Sequence, residues 1–359
     1  MKVRRCFALF AVLSVAACAS APPPEPAPVS SPPPEPTPAA PVSVEPPKVV
    51  KPTPEEKKKA DEQRQFQEEK ATAEADAKVE LARWTPELHA EAKALASKNF
   101  PSAKAALQAA LAGKHRKPGN EARDKDRHPL QTFEFFGLKP TQTVLEYGPG
   151  EGWVTELLAP TLLQKGKLLV TSPDPNGPPD QRSTFYAQRT KAFLEKSPEL
   201  YGKVQTLIVD PKAPKLGLDA SVDLVVLFRA AHGLVNNGLL QPTLREIHSA
   251  LKPNGVLAVE QHRSQADADP IESSKKGYLP EKWLIGEIES AGFKLAGKSE
   301  LNANPKDTKD HPEGVWALPP TYRLKDKDRE KYQAIGESDR MTLKFVKLAK
   351  AAAKVQSTP

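Results

Sequence analysis

The chain has 359 residues, 38% of them hydrophobic and 27% charged, enough to build the core of one large domain or two small ones. The formal net charge of +7 is spread along the chain without a basic stripe, which argues against nucleic-acid binding. Both cysteines, Cys6 and Cys18, lie at the front end, so nothing beyond them can form a disulfide, a thiolate metal site or a cysteine nucleophile.

The first residues read as a targeting segment. Lys2, Arg4 and Arg5 make a basic start, and "CFALFAVLSVAA" is apolar but too short to span a bilayer. "VAAC" then resembles the lipobox of bacterial lipoproteins. That resemblance implies a signal peptide over 1–17, lipidation of Cys18 and an exported chain held in the cell envelope, facing the periplasm. Neither Ala19 nor Ser20 is acidic, which by the family's rule favours the outer membrane over the inner one. An ordinary signal peptide cleaved after small residues reads from the same letters. "RRCF" also resembles the core of a twin-arginine export signal, the route taken by folded proteins.

Residues 22–54 hold 15 of the 38 prolines, too many to pack a core. An extended tether over 18–54 is expected, reaching on the order of 100 Å. Residues 55–83 are mostly Glu, Lys, Gln and Ala with opposite charges at helical spacing, and predict a solvated helix or a partly disordered stalk. Ala-rich helical composition continues over 86–113, punctuated by Pro101. The helical segment is therefore set at 55–114 and the main domain at 115–350.

From residue 115 apolar runs of strand length alternate with helical patterns, which predicts parallel β/α units. Strands are expected at 142–147, 167–172, 204–209, 222–228, 255–262, 293–301 and 341–348. Helices are expected at 153–163, 183–197, 238–251 and 281–292. The fold class is α/β: a Rossmann-like, mostly parallel seven-stranded sheet with helices on both faces, behind a helical N-terminal segment. The continuous apolar run "VDLVVLF" at 222–228 suits a strand buried on both sides.

The chemistry concentrates in "VLEYGPGEGWV", where an apolar run ends in Glu146 and passes Gly148, Gly150 and Gly152 before a helix. A strand-to-helix turn at the carboxyl edge of a parallel sheet presents backbone N–H groups to a ligand, and glycines let it approach closely. The spacing departs from the dinucleotide fingerprint G-x-G-x-x-G. Glu146 and Glu151 would repel a pyrophosphate and attract a ligand carrying sulfonium and ammonium charges.

"EYGPGEG" resembles the first motif of class I S-adenosylmethionine-dependent methyltransferases. The resemblance implies S-adenosylmethionine as cofactor, bound by Glu146, Gly148, Gly150 and Gly152, with Asp174 on the ribose hydroxyls and Asp210 facing the adenine. "VDLVVLFRAAHGL" and "ALKPNGVLAVEQHR" resemble that family's fourth and fifth strands, with Asn254 where glycine is usual. "RHPLQTFEFFGLKP", "FRAAHGL", "EQHR" and "GESDRMTLKF" resemble an exported bacterial subgroup of predicted methyltransferases, across roughly 115–349. Asp174 and Asp210, each beside proline, also read as plain turn residues.

A base is needed only if the methyl acceptor is protonated, and histidine is the usual choice. His232 and His262 leave the fourth and fifth strands and are the catalytic candidates. Arg229 and Arg263 beside them are the substrate-binding candidates, or else pin carboxylates such as Glu260. Arg123, Arg127 and His128 are expected over the cleft from the N-terminal side. Residues 302–340 form a long insertion whose Trp316, Pro319, Pro320 and Tyr322 act either as a lid or as a small subcore. The expected partners are an unknown small-molecule or envelope substrate, and a membrane reached through Cys18. No metal is expected. An exported enzyme meets little of this cofactor, so loading before export, leakage, a cytoplasmic pool or a fold without the chemistry all remain open.

Overall fold

The computed structural model describes residues 53–348. The expected signal peptide, Cys18 and nearly all of the proline-rich tether lie outside these residues.

Seven strands among the described residues form one sheet in the order β3-β2-β1-β4-β5-β7-β6. They are β1 (Thr143–Glu146), β2 (Lys167–Ser172), β3 (Gln205–Ile208), β4 (Val222–Phe228), β5 (Leu251–His262), β6 (Phe293–Ser299) and β7 (Arg340–Lys347). The first five pair in parallel, and β7 runs antiparallel between β5 and β6. This is the Rossmann-like architecture expected from the alternating pattern. The strand order reverses between β1 and β4. Their following loops therefore diverge to opposite faces and leave a crevice at the carboxyl edge, where doubly wound sheets bind ligands.

Helices cover both faces. Ahead of β1 come α1 (Pro54–Arg83), α2 (Pro86–Ala96), α3 (Ala103–Leu111), the short α4 (Asp124–Arg127) and α5 (Pro129–Phe136). Between the strands lie α6 (Thr155–Leu162), α7 (Arg182–Glu195), α8 (Pro198–Tyr201), α9 (Ala231–Asn236), α10 (Leu240–Ala250), α11 (Pro270–Lys275) and α12 (Glu281–Ser290). The insertion before β7 carries α13 (Arg329–Ile335).

Side-chain alternation divides the core in two. Val144, Leu168, Val170, Leu224, Val226 and Phe228 point to the face covered by α3, α5 and α6. Leu145, Leu169, Val225, Leu227, Leu257 and Val259 point to the face covered by α10 and α12. The buried faces of α2 and α3 belong to the first of these clusters, so the N-terminal helices are part of the domain's core. A register shift near the start of β5 places Asn254 at φ +62°, the left-handed conformation that asparagine tolerates in place of glycine.

Residues 55–83 were expected to form a solvated helix or a partly disordered stalk, and α1 is a helix most of whose surface is exposed. It is nonetheless seated by Phe66 and Ala73, which bury against Phe185 of α7. The Phe66 and Phe185 rings meet edge to face at 5.6 Å, and the Arg182 guanidinium lies 4.7 Å over Phe66. Phe66 is the one large apolar side chain of the helix before Val79 and Leu81 near its end, too few for a periodic signal, so this seat was invisible in the sequence.

Phe66→Ala is expected to remove about 1–3 kcal/mol of local docking energy, less than for a phenylalanine in a continuous core. Hydrogen exchange should show faster exchange across the first half of α1. The main thermal transition of the sheet domain should stay in place.

Candidate active site

The loop after β1 turns through three glycines in the left-handed region, Gly148 at φ +69°, Gly150 at +58° and Gly152 at +82°. Each fills a different need. The N–H of Gly148 donates to Thr171 Oγ1 at 2.9 Å, tying the loop to β2. Gly150 has open space where a side chain would start. A Cβ on Gly152 would sit 2.5 Å from the Phe193 ring. Because the glycines use up this turn, α6 begins at Thr155, two residues later than the sequence suggests.

Three acids near this loop do three different things. Glu146, at the end of β1, is buried and faces the crevice, with Oε2 accepting from Thr155 Oγ1 at 2.7 Å. Burial pushes its carboxyl up to about 7, against the opposing influence of Thr155 and the Arg229 charge. Glu151, expected to help attract a cation, is instead held by Arg189 at 2.7 Å and Lys117 at 3.3 Å. Glu156 is wholly buried and accepts from the Lys117 N–H and from Asn120 Nδ2, at 2.7 and 2.8 Å. It thereby fixes the segment 117–120 over the glycine loop.

The result is a cavity of about 660 Å³ between the glycine loop, the β4 exit and that segment. This is a size that suits a nucleoside-bearing small molecule. Glu146, Gly148 and Gly150 line it together with Arg123, Arg127 and Arg229. Arg229 leaves β4 with φ +56°, a conformation that is costly for a non-glycine residue. Its N–H donates to the Glu260 carbonyl at 2.6 Å, and its Nη1 contacts the Glu260 carboxylate at 3.1 Å. Pro320 and Thr321 of the insertion reach the rim. The same insertion buries Ala317, Leu318 and Tyr332 against one another, so it serves as rim and subcore together.

The other expected site residues lie elsewhere. Asp174 and Asp210 are exposed, and each accepts the backbone N–H two residues on at 2.8 Å, closing a turn. Neither lines the cavity. Arg263 spends its guanidinium on Asp339, Glu281 and Glu300, at 3.0, 2.9 and 2.6 Å. It thus pins carboxylates, the alternative role its position offered, because three acids converge on it after β5.

His232 and His262 do come together, with ring centroids 5.9 Å apart. They do not line the cavity, although the Arg229 charge at its wall reaches both. His232 Nδ1 is 3.3 Å from Gln261 Nε2, and His262 Nδ1 is 2.5 Å from Ser338 Oγ. Burial holds both below the ordinary histidine range, against the Gln261 hydrogen bond at His232 and reinforced at His262 by the neighbouring cations. Both rings are therefore neutral at pH 7. His128 turns away to Asn302, at 3.2 Å. Trp153 and Asn120 were missed: the indole Nε1 donates to the Asn120 carbonyl at 3.2 Å and carries the Arg127 guanidinium 4.7 Å over its ring. Among the described residues no cluster of three or more His, Cys, Asp or Glu is placed to hold a metal.

No family model matches the chain, and neither does any curated protein. Solved structures with a related course of the chain include a SAM-dependent methyltransferase from Aquifex aeolicus, at 19% identity and TM-score 0.41. It aligns over 64% of this chain and 93% of its own. A SAM-dependent methyltransferase from Methanosarcina mazei aligns at 12% identity and TM-score 0.40, over 61% and 97%. The cyclase SpnF aligns at 13% identity and TM-score 0.46, over 69% and 98%. These are likenesses of architecture, and they assign no reaction to this chain.

Gly152→Ala is expected to cost about 1–3 kcal/mol, since it adds a ring clash to left-handed strain, while Gly150→Ala, with strain alone, should cost about 1 kcal/mol. Urea denaturation of the two variants checks the order. The raised carboxyl of Glu146 penalises the folded state in its ionised form. That penalty is absent below pH 4.5, grows up to about pH 7 and is constant above it. Glu146→Gln should therefore stabilise the ligand-free protein at pH 8 by up to about 3 kcal/mol, and by nothing near pH 4.5. Melting curves at the two pH values read this directly.

Proposed function

We propose that this chain is an S-adenosylmethionine-dependent methyltransferase acting on a small molecule or a component of the cell envelope. The observation that carries the reading is Glu146, a buried carboxylate at the switch point, beside a left-handed glycine turn that leaves backbone room for a ligand. A carboxylate there suits the ammonium end of an amino-acid moiety and is poorly placed for a pyrophosphate. Lys117 and Arg189 neutralise Glu151, so Glu146 is the acid of the loop that is left to do this.

The bound cofactor supplies a methyl group on a positively charged sulfur. The chain's part is to hold an acceptor in line with that group, and positioning of this kind supplies much of the rate. Arg229, strained at the β4 exit, faces the cavity where an acceptor would lie. His232 and His262, neutral by burial, are the side chains able to accept a proton from an acceptor that reaches beyond the cavity wall.

A second reading, a ligand-binding module without catalysis, is favoured by one observation: neither histidine lines the cavity. In either reading we propose that Cys18 carries lipid and holds the domain to the envelope, with the outer membrane favoured over the inner one.

Calorimetry with S-adenosylhomocysteine at up to millimolar concentration should give heat with the purified domain and none with Gly150→Arg. Silence with the unaltered chain rejects both the cofactor and the enzyme. Transfer of labelled methyl from S-adenosylmethionine to an envelope extract separates enzyme from binding module. Cofactor affinity should also rise with pH between about 6 and 8, because binding an ammonium favours the ionised form of Glu146. Glu146→Gln should flatten that dependence. Incorporation of a clickable fatty acid at Cys18 tests the anchor, and a chain that stays unlabelled removes it.

A further inference from the structure

The lining of the cavity that holds Glu146 also carries an unbalanced group of arginines. Arg123 and Arg127 both reach Glu337 through Nε, at 2.9 Å. Arg340, fully buried, contacts Glu337 and Glu260, each at 2.8 Å. Arg229 shares Glu260 with it, at 3.1 Å. Four guanidinium groups are thus paired with two carboxylates, and even with Glu146, which feels the Arg229 charge, counted as a third, positive charge is in excess around a partly exposed cavity.

Stranding like charges in such a place is costly unless something negative arrives. The strain on the cations is legible at Arg123. Burial lowers its hold on its proton, Glu337 opposes this, and the Arg229 and Arg340 charges add to it. The forks are also open. Among the described residues, the side-chain hydrogen bonds of Arg123 and Arg127 use Nε alone, and Arg229 uses one Nη. The remaining Nη groups of three cavity-lining arginines carry no hydrogen bond to protein. Paired N–H donors on a planar fork match a carboxylate or phosphate oxygen pair.

The cofactor does not remove the surplus. Its amino-acid end brings one ammonium and one carboxylate, a net of zero, and its sulfonium adds a further positive charge. Resting on the methyltransferase reading, we propose that the acceptor is a small molecule bearing an oxyanion, a carboxylate or phosphate, docked on Arg123, Arg127 and Arg229. The glycine loop and Glu146 then hold the cofactor, the arginines hold the acceptor's anionic end, and the nucleophile lies between them.

The test is calorimetric titration of inorganic phosphate and of malonate, in low-chloride buffer. Both ligand-free protein and protein saturated with S-adenosylhomocysteine are used. Either anion should bind the saturated protein in the millimolar range. Arg123→Gln and Arg229→Gln should each weaken it about tenfold, the loss of one charge-assisted pair. Arg123→Lys, which keeps the charge and loses the fork, should fall between. Affinity for S-adenosylhomocysteine should change less than about threefold in all three variants.

Two results overturn the proposal. One is no anion binding to the unaltered, saturated protein. The other is a variant that weakens S-adenosylhomocysteine while leaving 5′-methylthioadenosine, which lacks the amino-acid end, unaffected; the arginines would then serve the cofactor's own carboxylate. Failure of S-adenosylhomocysteine to bind at all rejects the methyltransferase reading instead, and the ligand-free titration still shows whether the arginines hold an oxyanion. Should Arg229→Gln fail to fold, Arg123→Gln, at the partly exposed rim, decides alone.

Discussion

The buried guanidinium of Arg340 is the constraint around which the site is assembled. It opens β7 with a side chain only 1% exposed, and a charge at that depth has to be met on every side. Glu260 at the end of β5 and Glu337 just before β7 meet it from the sheet side, and the Asp126 carbonyl meets it from α4. One side chain therefore joins the fifth strand, the insertion and the N-terminal arm. Because Glu337 also draws in Arg123 and Arg127, the arm is held where those two side chains border the crevice. The ion pairs that build this part of the structure are the same ones that leave positive charge facing the cavity.

The crevice itself comes from topology. Adjacent strands β1 and β4 send their following loops to opposite faces, so no helix can close the gap between them. The chain covers it instead with segments from far away in sequence: 117–120, fixed by Glu156, and Pro320–Thr321 from the insertion. Glu146 and the arginines then line one cavity. A group suited to positive ligand charge and groups suited to negative ligand charge are thereby brought into one site.

Helix α1 adds a further layer beyond the glycine loop. It is seated by Phe66 near its middle. Near its C-terminal end, Glu80 meets both Arg83 and Lys196, at 2.8 and 2.9 Å. Lys196 in turn lies 4.2 Å over Phe193, the ring that forbids a side chain at Gly152. The helix therefore bears on the loop through packed side chains, although it shares no strand pairing with the sheet.

Taken alone, the sequence determined the local structure and the nature of the loop. Strands β2 and β4 fall where the apolar runs place them, and the remaining strands begin or end within four residues of expectation. Burial on two faces writes itself as uninterrupted Val and Leu, and a left-handed turn writes itself as glycine. Glu146 and the three glycines were legible for the same reason: their roles are set by neighbours in the chain. What an acid or an arginine does was decided only by the tertiary structure. Glu146, Glu151 and Glu156 look alike in sequence, yet one is buried in the cavity wall, one is paired with two cations and one supports a loop. Arg229 and Arg263 looked equivalent, but three carboxylates claim Arg263, and Arg229 keeps an open fork. Charge is felt through space, and the partners that decide it lie up to 214 residues away, as from Arg123 to Glu337. No local pattern encodes such a distance, and only the closed fold brings those charges within reach of one another.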